Sequence, residues 1–263
     1  MTEAGHVLVL RLAGPMQSWG STGEFNRRDT DDQPTKSGVV GLLAAAQGRR
    51  RSDAIEDLVG LRMAVRIDQP GTMLRDYHTV SNYTGQSHLT ATVNRLGQQV
   101  RRADNAKNKT LVTKRFYLQD AVFVAAVAGE TDLLWTLAGA VQRPTFPLAL
   151  GRRSCVPTQP LLVRCEGGDL WPGPLSDVVG AVPWQAGPAA RARTKDPLVS
   201  LPVVMDDPAG AETRTDVPAS YHPLRRGMSS RRVAHTWVSL PIGARENDMP
   251  TDSGHDPFAL LGG

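Results

Sequence analysis

The stretch AVFVAAVAGETDLLWTLAGAV, residues 121–141, changes period in its middle, and that change decides the fold class. Residues 121–129 form a short, continuous apolar run ending at Gly129, which reads as a buried central strand. From Thr131 the pattern turns helical, with Leu134, Leu137, Ala138 and Val141 on one face. A similar succession occurs earlier. HVLVLRLAG (6–14) reads as a buried strand stopped by Gly14-Pro15. SGVVGLLAAAQG (37–48) then repeats Val39, Leu42, Leu43 and Ala46 at helical spacing, with Ser37 as cap and Gly48 as stop. In DAIEDLV, Asp53 and Glu56 stand at capping-box spacing. LRMAVRID (61–68) alternates, with Met63, Val65 and Ile67 on one face and Arg62, Ala64, Arg66 and Asp68 on the other, as a half-buried strand does. Two β-α-β units in series predict an α+β, ferredoxin-like sheet with its helices on one face.

The 263 residues suffice for one large domain, or one domain with a smaller companion, and 40% hydrophobic residues can fill a core. The net charge of +4 is modest, although the sequence pI is about 9.3, so the distribution of charge is more informative than its total. Between Arg75 and Arg115 there are eight Lys/Arg and two Asp. Cys155 and Cys165 form neither a zinc-ligand pattern nor a disulfide framework, and they read as reduced thiols. No cofactor or metal is expected. The N-terminus lacks a signal-peptide pattern, and no apolar run approaches the roughly 20 residues that span a bilayer. The expected location is cytoplasmic.

Between Val80 and Thr113 the chain is polar, basic and poor in large apolar side chains, yet flanked by strand-like LRDYHTV (74–80) and TKRFYLQDAVFVAAVAG (113–129). A long segment of this kind inside a compact domain is usually functional or disordered. After Gly167 the chain becomes rich in Pro, Gly and Trp, and residues 170–241 read as a small, irregular subdomain with TWVSLP (236–241) as its last strand. Residues 242–263 read as a disordered tail.

Several side chains could carry chemistry. Gln17 and Trp19 lie in the turn GPMQSWG, where the tryptophan either packs on the sheet or stacks on a ligand. Lys36 and Ser37 open a helix, a place for a phosphate or simply a capped helix end; the P-loop pattern is absent. Arg75, Tyr77 and His78, with Lys114, could contact RNA passively through stacking and phosphate bonds, or serve a metal-independent ribonuclease. Arg95, Arg101, Arg102, Lys107 and Lys109 make the 81–113 segment fit for a polyanion. In LGRRSC, a glycine precedes Arg152, Arg153 and Ser154, so backbone and guanidinium groups can converge on phosphates.

VLRLAGPMQSWG, PTKSGVVGLLAAAQG, LRDYHTV and LGRRSC, in this order and spacing, resemble the CasD family, the CRISPR-associated Cascade subunits of type I-E systems within the RAMP superfamily. The resemblance covers residues 7–165 well and the remainder poorly. It implies an RRM-like, ferredoxin-type domain over 1–169, an inserted β-hairpin thumb at about 81–113, and a small, mainly β C-terminal subdomain over 170–241. It also implies a non-catalytic role: holding the 5′ handle of the CRISPR RNA and capping the Cascade backbone. The implied partners are the CRISPR RNA, the backbone subunit, the large PAM-reading subunit and, through the complex, target DNA. Related proteins of another subtype are endoribonucleases, which is the alternative. Carried over, Arg152, Arg153 and Ser154 match the glycine-rich RAMP loop and are expected at RNA phosphates. Gln17, Trp19, Lys36, Ser37, Tyr77 and His78 are expected at the handle or at subunit contacts.

Overall fold

The computed structural model describes residues 5–20, 27–81, 92–93, 99–100, 110–222 and 227–242. In chain order the elements are β1 (His6–Ala13), β2 (Met16–Gln17), β3 (Arg27–Arg28), α1 (Lys36–Ala46), α2 (Glu56–Val59), β4 (Arg62–Gln69), β5 (Thr72–Ser81), β6 (Thr92–Val93), β7 (Gln99–Val100), β8 (Thr110–Gln119), β9 (Val122–Ala128), α3 (Thr131–Gln142), β10 (Trp171–Pro172), α4 (Leu175–Ala181), α5 (Pro188–Arg193), β11 (Leu198–Asp206), β12 (Glu212–Ser220) and β13 (Gly227–Pro241). The result is a mixed α+β protein with mostly antiparallel sheets.

The apolar run that opened the reading becomes β9, which lies between β1 and β4 and pairs antiparallel with both. The full seven-stranded order is β10-β1-β9-β4-β11-β13-β12. On one face, α1 and α3 pack over Leu8, Leu10 and Leu12 of β1, Met63 and Val65 of β4, and Phe123 and Val127 of β9. Leu134, Leu137, Ala138 and Val141 are the buried residues of α3, as their spacing predicts. Each large aliphatic buried here contributes about 1.5–3 kcal/mol.

The opposite face departs from expectation. It is covered by α4, whose Leu175, Val178 and Val179 pack with Val182 against Val7, Val9, Ala64, Val124 and Ala126. Helices therefore lie on both faces, and β4 is buried on both instead of half-buried. Arg66 and Asp68 lie inside the protein, paired at 2.7 Å. The other donors of Arg66 reach the carbonyls of Val179, Val182 and Pro183, so this ion pair is fully hydrogen-bonded. The C-terminal third also differs from the irregular segment expected. It forms the long strands β11, β12 and β13, and β11 pairs with β4, so the sheet runs on without a break. Of the expected disordered tail, residues 243–263 lie outside the described residues.

The start of α1 is not an open phosphate seat. Thr35, two residues before the predicted Ser37, is the cap and accepts from Gly38 N at 3.2 Å. Asp216 Oδ2 accepts from Lys36 N at 2.8 Å, so a protein carboxylate already occupies the position where an anion is favoured. Asp53 does not cap α2 either; its carboxylate accepts from Arg50 N at 2.7 Å.

Outside the large sheet, β5 and β8 form an antiparallel ribbon with register from Thr72↔Gln119 to Ser81↔Thr110. β2 and β3 flank the other edge of β8, and β6 pairs with β7. Residues 82–91, 94–98 and 101–109 of the expected thumb lie outside the described residues, and with them Arg101, Arg102, Lys107 and Lys109; so does Arg95.

Candidate nucleic-acid interface

Cross-strand register sorts the ribbon's side chains, because residues directly opposite one another in an antiparallel pair share a face. Arg75 is opposite Phe116, and Tyr77 is opposite Lys114. Arg27 of β3 is in register with Lys114, and its guanidinium stands 5.2 Å from the centre of the Phe116 ring. One face thus gathers Arg27, Arg75 and Lys114 around two aromatic rings. Tyr77 is 59% exposed. Among the described residues the acid paired there is Asp29, which accepts from Arg27 Nε at 2.9 Å in an exposed ion pair. Cations spaced among aromatic rings suit a single-stranded polynucleotide, whose phosphates they neutralise and whose bases can stack.

The other face carries Asp76 opposite Arg115 and His78 opposite Thr113. The pleat therefore separates His78 from Tyr77 and Lys114. Among the described residues no cluster of three or more His, Cys, Asp or Glu could hold a metal ion.

A buried scaffold holds the basic face in place, and several residues expected to touch a ligand belong to that scaffold. Gln17 is fully buried: its Nε2 donates to the carbonyls of Leu12 and Ala121, and its Oε1 accepts from Trp19 Nε1 at 3.0 Å. Trp19 is also buried, and a Cβ on Gly38 would lie 2.6 Å from its ring, so the glycine makes room for it. The tryptophan backbone then pins the segment after β3, since Trp19 N donates to Thr30 Oγ1 and Asp31 N to Trp19 O. Lys36 is buried with its Nζ 3.1 Å from Asp206, and Ser37 Oγ bonds Thr35 Oγ1. All four residues act from inside the fold, which corrects their reading as ligand contacts.

The arginine pair divides. Arg152 donates to the carbonyls of Phe116 at 3.1 Å, Arg28 at 2.7 Å and Asp29 at 3.2 Å, and stacks 4.8 Å from the Tyr117 ring centre. It is a brace between β8 and β3, not a free phosphate donor. Gly151 permits it: φ is +86°, and a Cβ there would lie 1.8 Å from Ser18 O. Arg153 and Ser154, by contrast, are exposed. Cys155, just beyond, is buried, and burial pushes its thiol pKa up.

Sequence reasoning missed Arg27 and Phe116. Two arginines in FNRRDT were visible, but nothing local announces that they run parallel to Lys114-Arg115 across β8. Arg75, Tyr77, His78 and Lys114 were grouped from the sequence; the register keeps Arg75, Tyr77 and Lys114 on one face and turns His78 to the other.

A family model described as CRISPR-associated protein (Cas_Cas5) matches residues 7–234. The CRISPR system Cascade subunit CasD of Escherichia coli (strain K12) is 36% identical over 179 residues, which are 62% of this chain and 72% of that protein. A solved chain of a CRISPR RNA-guided surveillance complex is 33% identical and superposes with a TM-score of 0.70, over 89% of this chain and 91% of its own length. A second solved chain, described as a Cas protein, is 34% identical with a TM-score of 0.63, over 89% of this chain and 95% of its own. The family match over residues 7–234 takes in most of the sheet and the ribbon, and the chain belongs to the CRISPR-associated protein (Cas_Cas5) family.

Proposed function

We propose that this chain is a non-catalytic RNA-binding subunit of a type I-E Cascade surveillance complex, and that it holds the 5′ handle of the CRISPR RNA. The observation that carries this reading is the shared face of Arg27, Arg75, Tyr77, Lys114 and Phe116. Exposed Arg153 and Ser154 extend the contact beside it, while Arg152 keeps β3 and β8 in register. The strand order β10-β1-β9-β4, with α1 and α3 on one face, supports an RRM-like frame over 1–169, and the β5/β8 ribbon supports a projecting thumb. Residues 170–241 then form the C-terminal part. The partners are the CRISPR RNA, the backbone subunit, the large PAM-reading subunit and target DNA reached through the complex, in the cytoplasm. Among the described residues no helix is long and apolar enough to cross a membrane.

The non-catalytic reading is supported by the pleat, which keeps His78 away from Tyr77 and Lys114. The test is binding and cleavage of a labelled repeat-derived RNA in EDTA at two salt concentrations, with wild type and Arg75→Ala/Tyr77→Ala/Lys114→Ala. Salt-sensitive binding without cleavage is expected, at least tenfold weaker in the variant, since stacking alone accounts for about 1–3 kcal/mol per base. Cleavage by the wild type would overturn the non-catalytic reading. Equal binding by a folded variant would overturn the site.

A further inference from the structure

A second group of arginines lies away from the ribbon face, on the α4 side of the sheet and close to where β4 passes into the ribbon. Arg11 of β1 lies on the same strand face as Val7 and Val9, which pack under α4, and Val124 separates it from Arg66 in the register. Arg191 of α5 is held beside them: its Nε donates to Ala186 O at 3.0 Å, its NH2 donates to Trp184 O, and it stacks 5.9 Å from the Trp184 ring centre. The cluster is tied to the ribbon root through Gln69, which accepts from Gly187 N and donates to Asp120 Oδ2 at 2.9 Å.

Charge in this cluster does not balance. Among the described residues Asp68 is the acid in contact with it, and that carboxylate is taken up by Arg66 at Nε and NH2 and by Gln185 N. Arg66 is satisfied at every donor. Arg11 is not: its Nε is shut off from solvent and makes no hydrogen bond. Burial, and then the Arg191 charge, push the Arg11 pKa down, with Asp68 acting in the opposite sense. A guanidinium stays protonated nonetheless, so the free protein holds an uncompensated cation at considerable cost. The residue as a whole is only partly buried, so a solvent-side anion can approach it.

We propose that Arg11 and Arg191 bind a phosphate group of the RNA, as a contact at the ribbon root separate from the Tyr77 face. This rests on the RNA-binding reading. A phosphate there gives the solvent-side nitrogens of Arg11 an acceptor and supplies counter-charge for both guanidiniums.

The test uses the full chain, as wild type, Arg11→Gln and Arg11→Met, with a repeat-derived single-stranded RNA over a salt series, and thermal unfolding with and without inorganic phosphate. Without phosphate, Arg11→Met is expected to melt about 2–4 °C above wild type, because a buried unpartnered donor and a charge repelled by Arg191 are removed. Both variants are expected to bind RNA about tenfold more weakly, with the log–log salt slope reduced by about 0.7. Phosphate is expected to raise the wild-type melting temperature more than theirs. A variant that melts below wild type, as loss of a structural arginine would cause, overturns the proposal. So does unchanged RNA affinity and slope. If wild type binds no RNA, the handle reading falls; an unequal response to phosphate would then still support an anion site at Arg11, and an equal response would refute it.

Discussion

Two regions of this protein use the same residue types for opposite ends. Where α1 meets the C-terminal strands, Lys36, Asp206, Arg231 and Asp216 are joined in one network: Lys36 Nζ to Asp206, Arg231 to both acids, and Asp216 back to the Lys36 backbone. Their side chains are 12% exposed or less. At the ribbon root, Arg27 is 68% exposed, and Arg75 and Lys114 stand in solvent without an acid opposite. In the first region each cation has a buried counter-charge, so its energy goes into the fold. In the second, among the described residues, Arg27 has only the exposed Asp29 while Arg75 and Lys114 face no acid across the ribbon, and a polyanion can supply the counter-charge. A cation's task is thus read from its acids, and Arg11 is informative because it is partly buried, with its Nε shut off from solvent, and that nitrogen has no partner.

The contrast breaks most visibly at Arg231. Arg231→Ala leaves Asp206 and Asp216 buried with their shared partner gone, and is expected to cost about 3–5 kcal/mol in urea unfolding. RNA affinity of the folded fraction should not change. A loss below about 1 kcal/mol would show that the network is no structural element. The network also carries a pH signature. Burial pushes the Asp216 pKa up, but Arg231, through hydrogen bonds and charge, outweighs it and leaves the carboxyl below its ordinary value of about 3.9. A carboxyl depressed in the folded state stabilises above its unfolded pKa, and that contribution disappears as pH falls through the folded value. Stability should therefore drop below about pH 4, and Asp216→Asn should flatten that part of an acid-unfolding curve.

Arg152→Ala comes next, because Arg152 joins the two regions' logics: it is a paired, structural arginine that serves an exposed site. Losing its bonds to three carbonyls should cost about 1.5–3 kcal/mol of stability and weaken RNA binding as β3 loosens from β8. Arg153→Ala should leave stability within about 0.5 kcal/mol and lower only the salt slope. Equal stability of the two variants would remove the distinction between brace and contact.

How much of this was legible beforehand follows the range of each signal. Periodicity is local, so β9 and the buried face of α3 could be read directly from residues 121–141. What covers a face is not local. Nothing near LRMAVRID tells that α4, more than a hundred residues later, will bury Arg66, so the alternation of β4 was read as a solvent face. The same limit applies to α1, whose inviting N-terminus is closed by Asp216 from the far end of the chain. It applies equally to Arg152, whose acceptors lie on β8 and after β3. Arg75, Tyr77 and Lys114 were recognised as types suited to RNA, but only register puts them on one face and His78 on the other.

The smallest expected effect sharpens the comparison from its surface side. Glu212 accepts from Arg214 at 2.6 Å and bonds His235 at 2.5 Å, and these two partners, Arg214 first, hold its carboxyl below the usual range. On paper it has more side-chain partners than Asp216. Its side chain is 42% exposed, however, so water screens both attractions and solvates the carboxylate in the unfolded chain almost as well. Glu212→Gln should therefore cost about 0–1 kcal/mol, and the loss should shrink in high salt, whereas the Arg231→Ala cost should persist there. A loss at Glu212 comparable to that at Arg231 would mean that the number of partners, not their burial, governs these networks, and the distinction between inward and outward cations would lose its physical basis.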